Sequence, residues 1–160
     1  MITTQQYLDL IGKEFAIIRH LASKLKDSDM DYRPTPKQRS TLELLQYISM
    51  VFDTAAEAFV TGDTSSWTPR EEASKSLTLA EFDTTMGAQE LAFHAWFRQL
   101  SAEQFTEETD FWGVAPRAVH FMNALRWASA YKMQLFLYMK SLGYSELNTM
   151  NVWMGMDSAM

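Results

Sequence analysis

The sequence predicts an all-α fold, a single-domain four-helix bundle with a long crossover connection over residues 1–160. Three observations lead to this fold class. Four long segments repeat apolar residues every three or four positions, as a helix with one buried face requires. No segment alternates apolar and polar residues as a half-buried strand does. Polar or proline-containing connectors separate the segments, and four such amphipathic helices pack most simply as a bundle.

The first helix is predicted from about Thr4 to Lys26. It carries an apolar face made of Tyr7, Leu10, Ile11, Phe15, Ile18, Leu21, Ala22 and Leu25. The segment "DSDMDYRPTPKQR" then ends it, because Pro34 and Pro36 disfavour helix in the residue before each of them.

The second helix is predicted to begin after Ser40, which forms a capping box with Glu43, and to stop near Gly62. The polar connector "TGDTSSWTPREEASKS" follows, and it is longer than two antiparallel helices need. Its length predicts the crossover. Thr78 and Glu81 form a second capping box, which opens a third helix that reaches Leu100.

Residues 101–116 are predicted to be irregular, with a short helical turn after Ser101, and the last helix to run from about Pro116 to Leu142, before Gly143. This last helix is apolar around nearly its whole circumference. A helix of that kind must be buried on all sides, centrally or against a second chain. The simplest prediction is a homodimer formed through the last helix.

Composition excludes several classes of function. The chain has no cysteine, which removes disulfides, thiolate zinc sites and cysteine nucleophiles. Its net charge of −6 and scattered basic residues argue against binding to nucleic acid or to an anionic membrane surface. We see no signal peptide and no apolar run long enough to span a membrane, so we expect a cytoplasmic protein.

Three segments together resemble the DinB/YfiT-like superfamily of helical bundles: "DYRPTPKQRSTLELLQYI", "AYKMQLFLYMKSLG" and the tail "NVWMGMD". The resemblance covers most of the chain. It implies the same bundle fold and no DNA-binding activity. Many members of that superfamily hold a divalent metal on three histidines, and related enzymes use it to activate a thiol cosubstrate or to polarise a substrate.

The resemblance places the three metal-ligand positions at Tyr47, Trp127 and Tyr131. One follows the Glu-Leu-Leu motif of the second helix, and the other two lie four residues apart on one face of the last helix. None of them is histidine. The indole nitrogen of tryptophan only donates, and a neutral tyrosine is a poor ligand. We therefore predict that the metal is absent, that no cofactor replaces it, and that the aromatic side chains fill its place.

The three histidines offer little to rebuild such a site. His20 is predicted on the solvated polar face of the first helix, and His120 in a structural or exposed position. His94 follows Glu90 by four residues, a spacing that suits either an ion pair or a displaced metal site.

Three carboxylates raise further alternatives. Asp53 and Glu57 form an acidic i, i+4 pair, for which a solvated face is the prediction and acid–base chemistry the alternative. Glu14 lies within the apolar stripe of the first helix. Such a carboxylate either faces a polar cavity, or reaches outward at the edge of the stripe or pairs with arginine.

Three functions remain open. The first is a metal-free DinB-like protein that binds a small organic molecule in an aromatic-lined pocket between the second and last helices, with Tyr47, Trp127 and Tyr131 as its polar contacts. The second is a metal-dependent hydrolase or thiol-dependent transferase with a displaced site at Glu90 and His94. The third is a non-catalytic dimeric interaction module whose pocket is filled.

Overall fold

Helices make up most of the structure, a computed structural model that describes residues 3–157. Numbered in chain order, they are α1 Thr4–Ala22, α2 Thr41–Thr61, α3 Trp67–Ser74, α4 Leu79–Arg98 and α5 Arg117–Ser141. The four predicted long helices are all present, so the all-α fold class is confirmed. The first ends at Ala22 rather than near Lys26, because the backbone bonds beyond it tighten to a three-residue spacing.

Both predicted capping boxes are present. The Ser40 N–H donates to the Glu43 carboxylate at 2.8 Å, and the Ser40 hydroxyl accepts from the Glu43 N–H at 3.2 Å. At the start of α4 the Thr78 N–H donates to the Glu81 carboxylate at 2.9 Å. Gly62 closes α2 with a φ of 75°, in the left-handed region that glycine adopts at little cost. Local sequence signals therefore set these helix ends.

In the bundle, α1 packs against α4 and α5, and α2 also packs against α4 and α5. The chain-consecutive pairs α1/α2 and α4/α5 therefore lie diagonally, and the segments 23–40 and 99–116 cross between them. The connector after α2, which the sequence predicts as the crossover, joins neighbouring helices instead, because α3 folds within it and lies against α2.

The sequence does not predict two short elements. One is α3, which has no buried residue and so shows no apolar repeat. The other is an antiparallel hairpin of β1 Glu108–Asp110 and β2 Val114–Pro116, whose three-residue strands are too short to show alternation. The predicted helical turn after Ser101 is a 3₁₀ turn at Gln104–Thr106.

An ion pair lies inside the bundle, between α1 and α5. Lys132 Nζ is 2.7 Å from Glu14 Oε2, and the two side chains are 10% and 17% exposed. The carboxylate that interrupts the apolar stripe of α1 is thus paired with a lysine. The predicted alternatives were a polar cavity, an outward position at the edge of the stripe, and a pair with arginine. Each buried charge depends on the other, because either one alone would be costly in this environment.

The outer face of α5 is not covered by the rest of the chain. Its exposed apolar residues recur along one stripe, and they are Val119, Met122, Met133 and Leu137 at 46%, 47%, 38% and 54% exposure. Of the two predicted ways to bury this helix, complete burial within one chain is therefore wrong, and burial against a second chain stays a prediction. Within residues 3–157 no helix, α5 included, is long and apolar enough to cross a membrane.

The segment after α5 folds back onto α1 through a turn of π-helix at Met150–Met154. The Asp157 carboxylate lies 2.6 Å from Lys24 Nζ and 3.5 Å from His20 Nε2. His20 is half-buried as a result, which corrects the prediction of a solvated surface histidine.

Candidate functional site

Tyr47 on α2 and Tyr131 on α5 lie against each other, with ring centroids 5.5 Å apart in an edge-on contact. Both side chains are half-buried. Burial, and then the neighbouring Tyr131 hydroxyl, raise the pKa of Tyr47 above its usual value of about 10. The Tyr47 phenol is therefore neutral at physiological pH, a state in which it binds metal ions poorly.

Trp127 lies one helical turn before Tyr131, but its ring belongs to a different cluster. It contacts Phe59, Phe111 and Trp112 at centroid distances of 6.1, 6.1 and 6.0 Å. Phe111 and Trp112 come from the turn of the hairpin, which covers this part of α5. The structure thus brings Tyr47 and Tyr131 into contact and places Trp127 beside them, under the hairpin.

Metal-ligating side chains are sparse around these positions. In the part of the chain that the structure describes, no three His, Asp or Glu side chains are grouped to hold an ion. The Glu90 carboxylate faces α1, where a Cβ added to Gly12 would lie 2.9 Å from Glu90 Oε1. The His94 Nε2 is buried, and burial lowers the pKa of His94. The three family positions and the Glu90/His94 pair therefore do not fit a three-histidine metal site.

A cleft of about 450 Å³ opens beside Tyr47, on the side of α2 that faces α3. We call it the Tyr47 cleft. Its walls are Arg39, Glu43, Gln46, Tyr47, Glu71, Ser74 and Lys75. Tyr131 and Trp127 are not part of this lining, so the open space lies between α2 and α3, whereas the sequence predicts a pocket between α2 and α5.

Arg39 is the cation of the Tyr47 cleft that lacks an acidic partner among residues 3–157. Its guanidinium carbon lies 3.9 Å from the centroid of the Tyr47 ring, a cation–π contact. Of the other charged residues of the cleft, Lys75 pairs with Glu72 at 2.6 Å and Glu43 pairs with Arg33 at 2.8 Å. Glu71 also lines the cleft, and it forms no ion pair within residues 3–157.

The backbone of Arg39 is held in place from α5. The Tyr138 hydroxyl donates to the Arg39 carbonyl at 2.9 Å. Sequence reasoning noted Arg39 only as part of the motif before Ser40. The available signal was its position directly before a helix N-cap and eight residues, about two helical turns, before Tyr47.

A second cleft of about 560 Å³ lies further along α2, between α2, α3 and α4. Its charged wall is Arg70, whose guanidinium donates to Asp53 at 2.8 Å and also to Glu57. Asp53 and Glu57 are 20% and 24% exposed, so the prediction of a solvated acidic face is wrong. The three side chains attach α3 to α2.

The pKa of the Asp53 carboxyl group lies well above that of an ordinary aspartate. Burial raises its pKa to about 6, although Arg70 acts in the opposite direction. The unfolded value is about 4, so between these pH values the folded state binds more protons than the unfolded state. The contribution of Asp53 to stability is therefore fully present below about pH 4 and is lost as pH rises through about 6.

Urea unfolding of the parent protein and of Asp53→Asn, between pH 4 and 7, measures this contribution. We expect the stability of the parent relative to the variant to fall as pH rises. A relative stability that stays constant or increases over this range would contradict the assignment. In Arg70→Met the Asp53 pKa should rise further, which a ¹³C NMR titration of the carboxyl carbon can measure.

His120 has a structural role. Of the two predicted positions, structural or exposed, the structural one is correct. It is buried, stacks on Phe59 with centroids 5.4 Å apart, and its Nε2 lies 2.8 Å from the Thr109 carbonyl. It thereby fixes the hairpin onto the start of α5.

Comparison with known proteins identifies the fold. No protein-family model and no curated protein matches the sequence. Solved structures are similar to it: a DinB-like protein, YjoA, from Bacillus subtilis has a TM-score of 0.74 at 22% identity, over 89% of this chain and 96% of that chain. A putative member of the DinB family from Exiguobacterium sibiricum 255-15 has a TM-score of 0.71 at 22% identity, over 92% and 97%.

A DinB-like protein from Bacillus cereus ATCC 10987 has a TM-score of 0.69 at 14% identity, over 89% of this chain and 94% of that chain. At these identities the similarity establishes the fold alone. The chain has the DinB-like all-α fold.

Proposed function

We propose that this chain is a DinB-like protein in which aromatic side chains have replaced the metal-binding histidines, and that it binds a small organic anion in the Tyr47 cleft. The DinB-like fold and the sequence resemblance support the first part. At the three corresponding positions, Tyr47, Trp127 and Tyr131, none of the side chains is suited to hold a divalent ion.

The observation that carries the second part is the guanidinium of Arg39, which lies over the Tyr47 ring at the cleft and forms no ion pair with any described residue. A guanidinium presents parallel N–H donors that match a carboxylate, so an anion is the ligand that this group binds best. Stacking on Tyr47 restricts where the guanidinium can lie. Tyr131 supports Tyr47 from the side of α5.

The cleft also suits the size and shape of a small organic molecule. Its volume of about 450 Å³ falls within the range of about 300–1,000 Å³ typical of ligand pockets. The Gln46 side-chain nitrogen donates to the carbonyls of Lys75 and Leu77, at 2.9 and 3.1 Å. These bonds stiffen the wall, and the nitrogen is already bonded within the protein. Glu43 and Glu71 also line the cleft, and their carboxylates disfavour ligands that carry more than one negative charge.

The test is a thermal melt with aromatic and aliphatic monocarboxylates, each compared with its neutral amide at constant ionic strength. Benzoate and benzamide are one such pair. We expect at least one carboxylate to raise the melting temperature in a concentration-dependent manner, because it binds only the folded state. Arg39→Met should abolish the rise, and Lys37→Met, an exposed change in the same loop, should retain it.

An identical rise in Arg39→Met, or equal effects of carboxylate and amide, would show that Arg39 does not select the ligand. The alternative of a metal-dependent enzyme is distinguished by the zinc titration described in the Discussion.

We also propose that the second half of the exposed stripe of α5, at Met133 and Leu137, pairs with a second copy of the chain and leaves Met122 at the other end of the stripe exposed. An apolar stripe repeated along a helix can meet its own symmetry mate, and a stable dimer buries about 1,200–2,000 Å² in total. Light scattering at micromolar concentration should give about twice the 18.4 kDa of one chain. A mass of one chain for the parent protein would contradict the dimer.

Leu137→Glu should return the mass to that of one chain, since it places an unpaired carboxylate within the interface. Leu91→Glu provides the control, because Leu91 is 72% exposed on α4, away from the stripe, and its change should leave the mass unaltered.

A further inference from the structure

A separate cavity of about 420 Å³ lies where the start of α1, the end of α4 and the start of α5 meet. We call it the end cavity. It shares no lining residue with the Tyr47 cleft. Its lining is Thr3, Thr4, Tyr7, Phe97, Leu100, Ala102, Phe105, Ala118, Phe121 and Met122.

Aromatic rings packed on one another form the floor of the end cavity. Tyr7 stacks on Phe97 with centroids 4.6 Å apart, and Phe97 contacts both Phe105 and Phe121 at 4.8 Å. Tyr7, Phe97 and Phe121 are buried in the core. These contacts hold the floor rigid, so the cavity does not close by simple collapse of its walls.

The rim is more adaptable than the floor. Met122 is 47% exposed there and carries an unbranched side chain that can adjust to different shapes. Its exposure also means that a small molecule can enter without unfolding the bundle.

The polar atoms of the lining are few, and most are already bonded within the protein. The Tyr7 hydroxyl donates to the Phe121 carbonyl, and burial raises the pKa of Tyr7 far above its usual range, which keeps that hydroxyl neutral. The Thr3 hydroxyl accepts from the Gln6 N–H at 3.2 Å. Within residues 3–157 no charged side chain lines the cavity, so a charged ligand would lose its hydration without gaining a partner there.

We propose that the end cavity binds an uncharged apolar small molecule, of the size of a two-ring aromatic or a short alkyl chain. Apolar surface removed from water contributes about 25 cal/mol per Å², and the aromatic floor offers stacking in addition. This ligand class differs from the anion proposed for the Tyr47 cleft. The result of testing one proposal therefore does not decide the other.

The experiment uses ¹³C-methyl-labelled methionine in the full-length chain, with naphthalene as the probe and 2-naphthoate as its charged counterpart. Met122 lies in the cavity, and Met133 lies outside it on the same helix. We expect naphthalene to shift the Met122 methyl resonance in a saturable manner and to leave Met133 unchanged. The charged counterpart should bind at least roughly tenfold more weakly, a difference of about 1.4 kcal/mol.

Ala118→Trp should fill the cavity and weaken naphthalene binding roughly tenfold or more, about 1.4 kcal/mol or more. Ala102→Trp, at another lining residue, tests the same point should the first variant not fold. Ala95→Trp, an exposed change on α4 outside the cavity, should leave binding intact. Binding that persists in the filled variants, equal binding of 2-naphthoate, or no saturable Met122 shift would overturn the proposal.

Discussion

Replacing Lys132 with methionine should lower the free energy of unfolding by about 3–5 kcal/mol, the size expected when a buried ion pair loses one partner. The change removes the cation that lies 2.7 Å from Glu14 Oε2 and leaves that carboxylate inside the bundle. Methionine replaces most of the lysine stem, so lost packing contributes little. Urea unfolding at pH 7, followed by circular dichroism, measures the effect.

Removing both charges should restore most of the stability. In Glu14→Leu/Lys132→Met no buried charge remains, and apolar replacement of a buried ion pair is commonly neutral or stabilising. Lys75→Met is the surface control, because Lys75 and Glu72 are 61% and 63% exposed and their pair should contribute little. A Lys132→Met variant as stable as Lys75→Met, or a double variant no better than the single one, would show that the pair is not buried as described.

The sequence identifies Glu14 as unusual but not its partner. Apolar periodicity shows that a carboxylate falls within the buried stripe of α1, and burial without a partner is unfavourable. Lys132 lies far away in the chain, on a helix that is apolar nearly all round. Only the packing of α5 against α1 reveals that the two meet. A pair between residues far apart in the chain produces no periodic pattern in the sequence.

In the rest of the fold, too, local features could be predicted and long-range contacts could not. The long helices and most of their ends were predictable, because apolar repeats, capping boxes and Gly62 are local signals. The short helix α3 was not, because it has no repeating apolar face. Arg70 bonds to Asp53 and Glu57, and Trp67 packs against Phe111. The diagonal connections were also missed, since connector length alone does not say which helices become neighbours.

At the candidate site, the sequence indicated the residues better than the open space. Tyr47 and Tyr131 were singled out, and their rings are in contact. The side of Tyr47 on which a cleft opens depends on α3, which was not predicted. Arg39 becomes a candidate binding residue because its guanidinium lies over the Tyr47 ring. No sequence pattern specifies that contact.

The second large effect is expected from restoring histidine at the three family positions. The variant Tyr47→His/Trp127→His/Tyr131→His removes large aromatic side chains, chiefly the Trp127 indole that contacts Phe59 and Phe111. We expect it to lose about 2–5 kcal/mol of stability without metal, because part of the vacated volume remains as a cavity.

Zinc should return part of that loss. If the backbone retains the geometry of the family's site, two imidazoles four residues apart on α5 and a third from α2 can meet at one ion. Binding only to the folded state stabilises it by about 2.7 kcal/mol when free zinc is 100 times the dissociation constant. The matched control is Tyr47→His/Trp127→Gln/Tyr131→His, which loses similar aromatic volume but has one ligand fewer.

Calorimetric titration of zinc into tag-free parent, triple-histidine and control proteins tests most directly the claim that aromatic residues occupy a former metal site. We expect no stoichiometric binding to the parent, one ion per chain in the triple-histidine variant, and much weaker binding in the control. Tight binding of one ion by the parent would contradict the loss of metal and favour a displaced site at Glu90 and His94. A folded triple-histidine variant that binds no more tightly than the control would show that Tyr47, Trp127 and Tyr131 do not mark such a site.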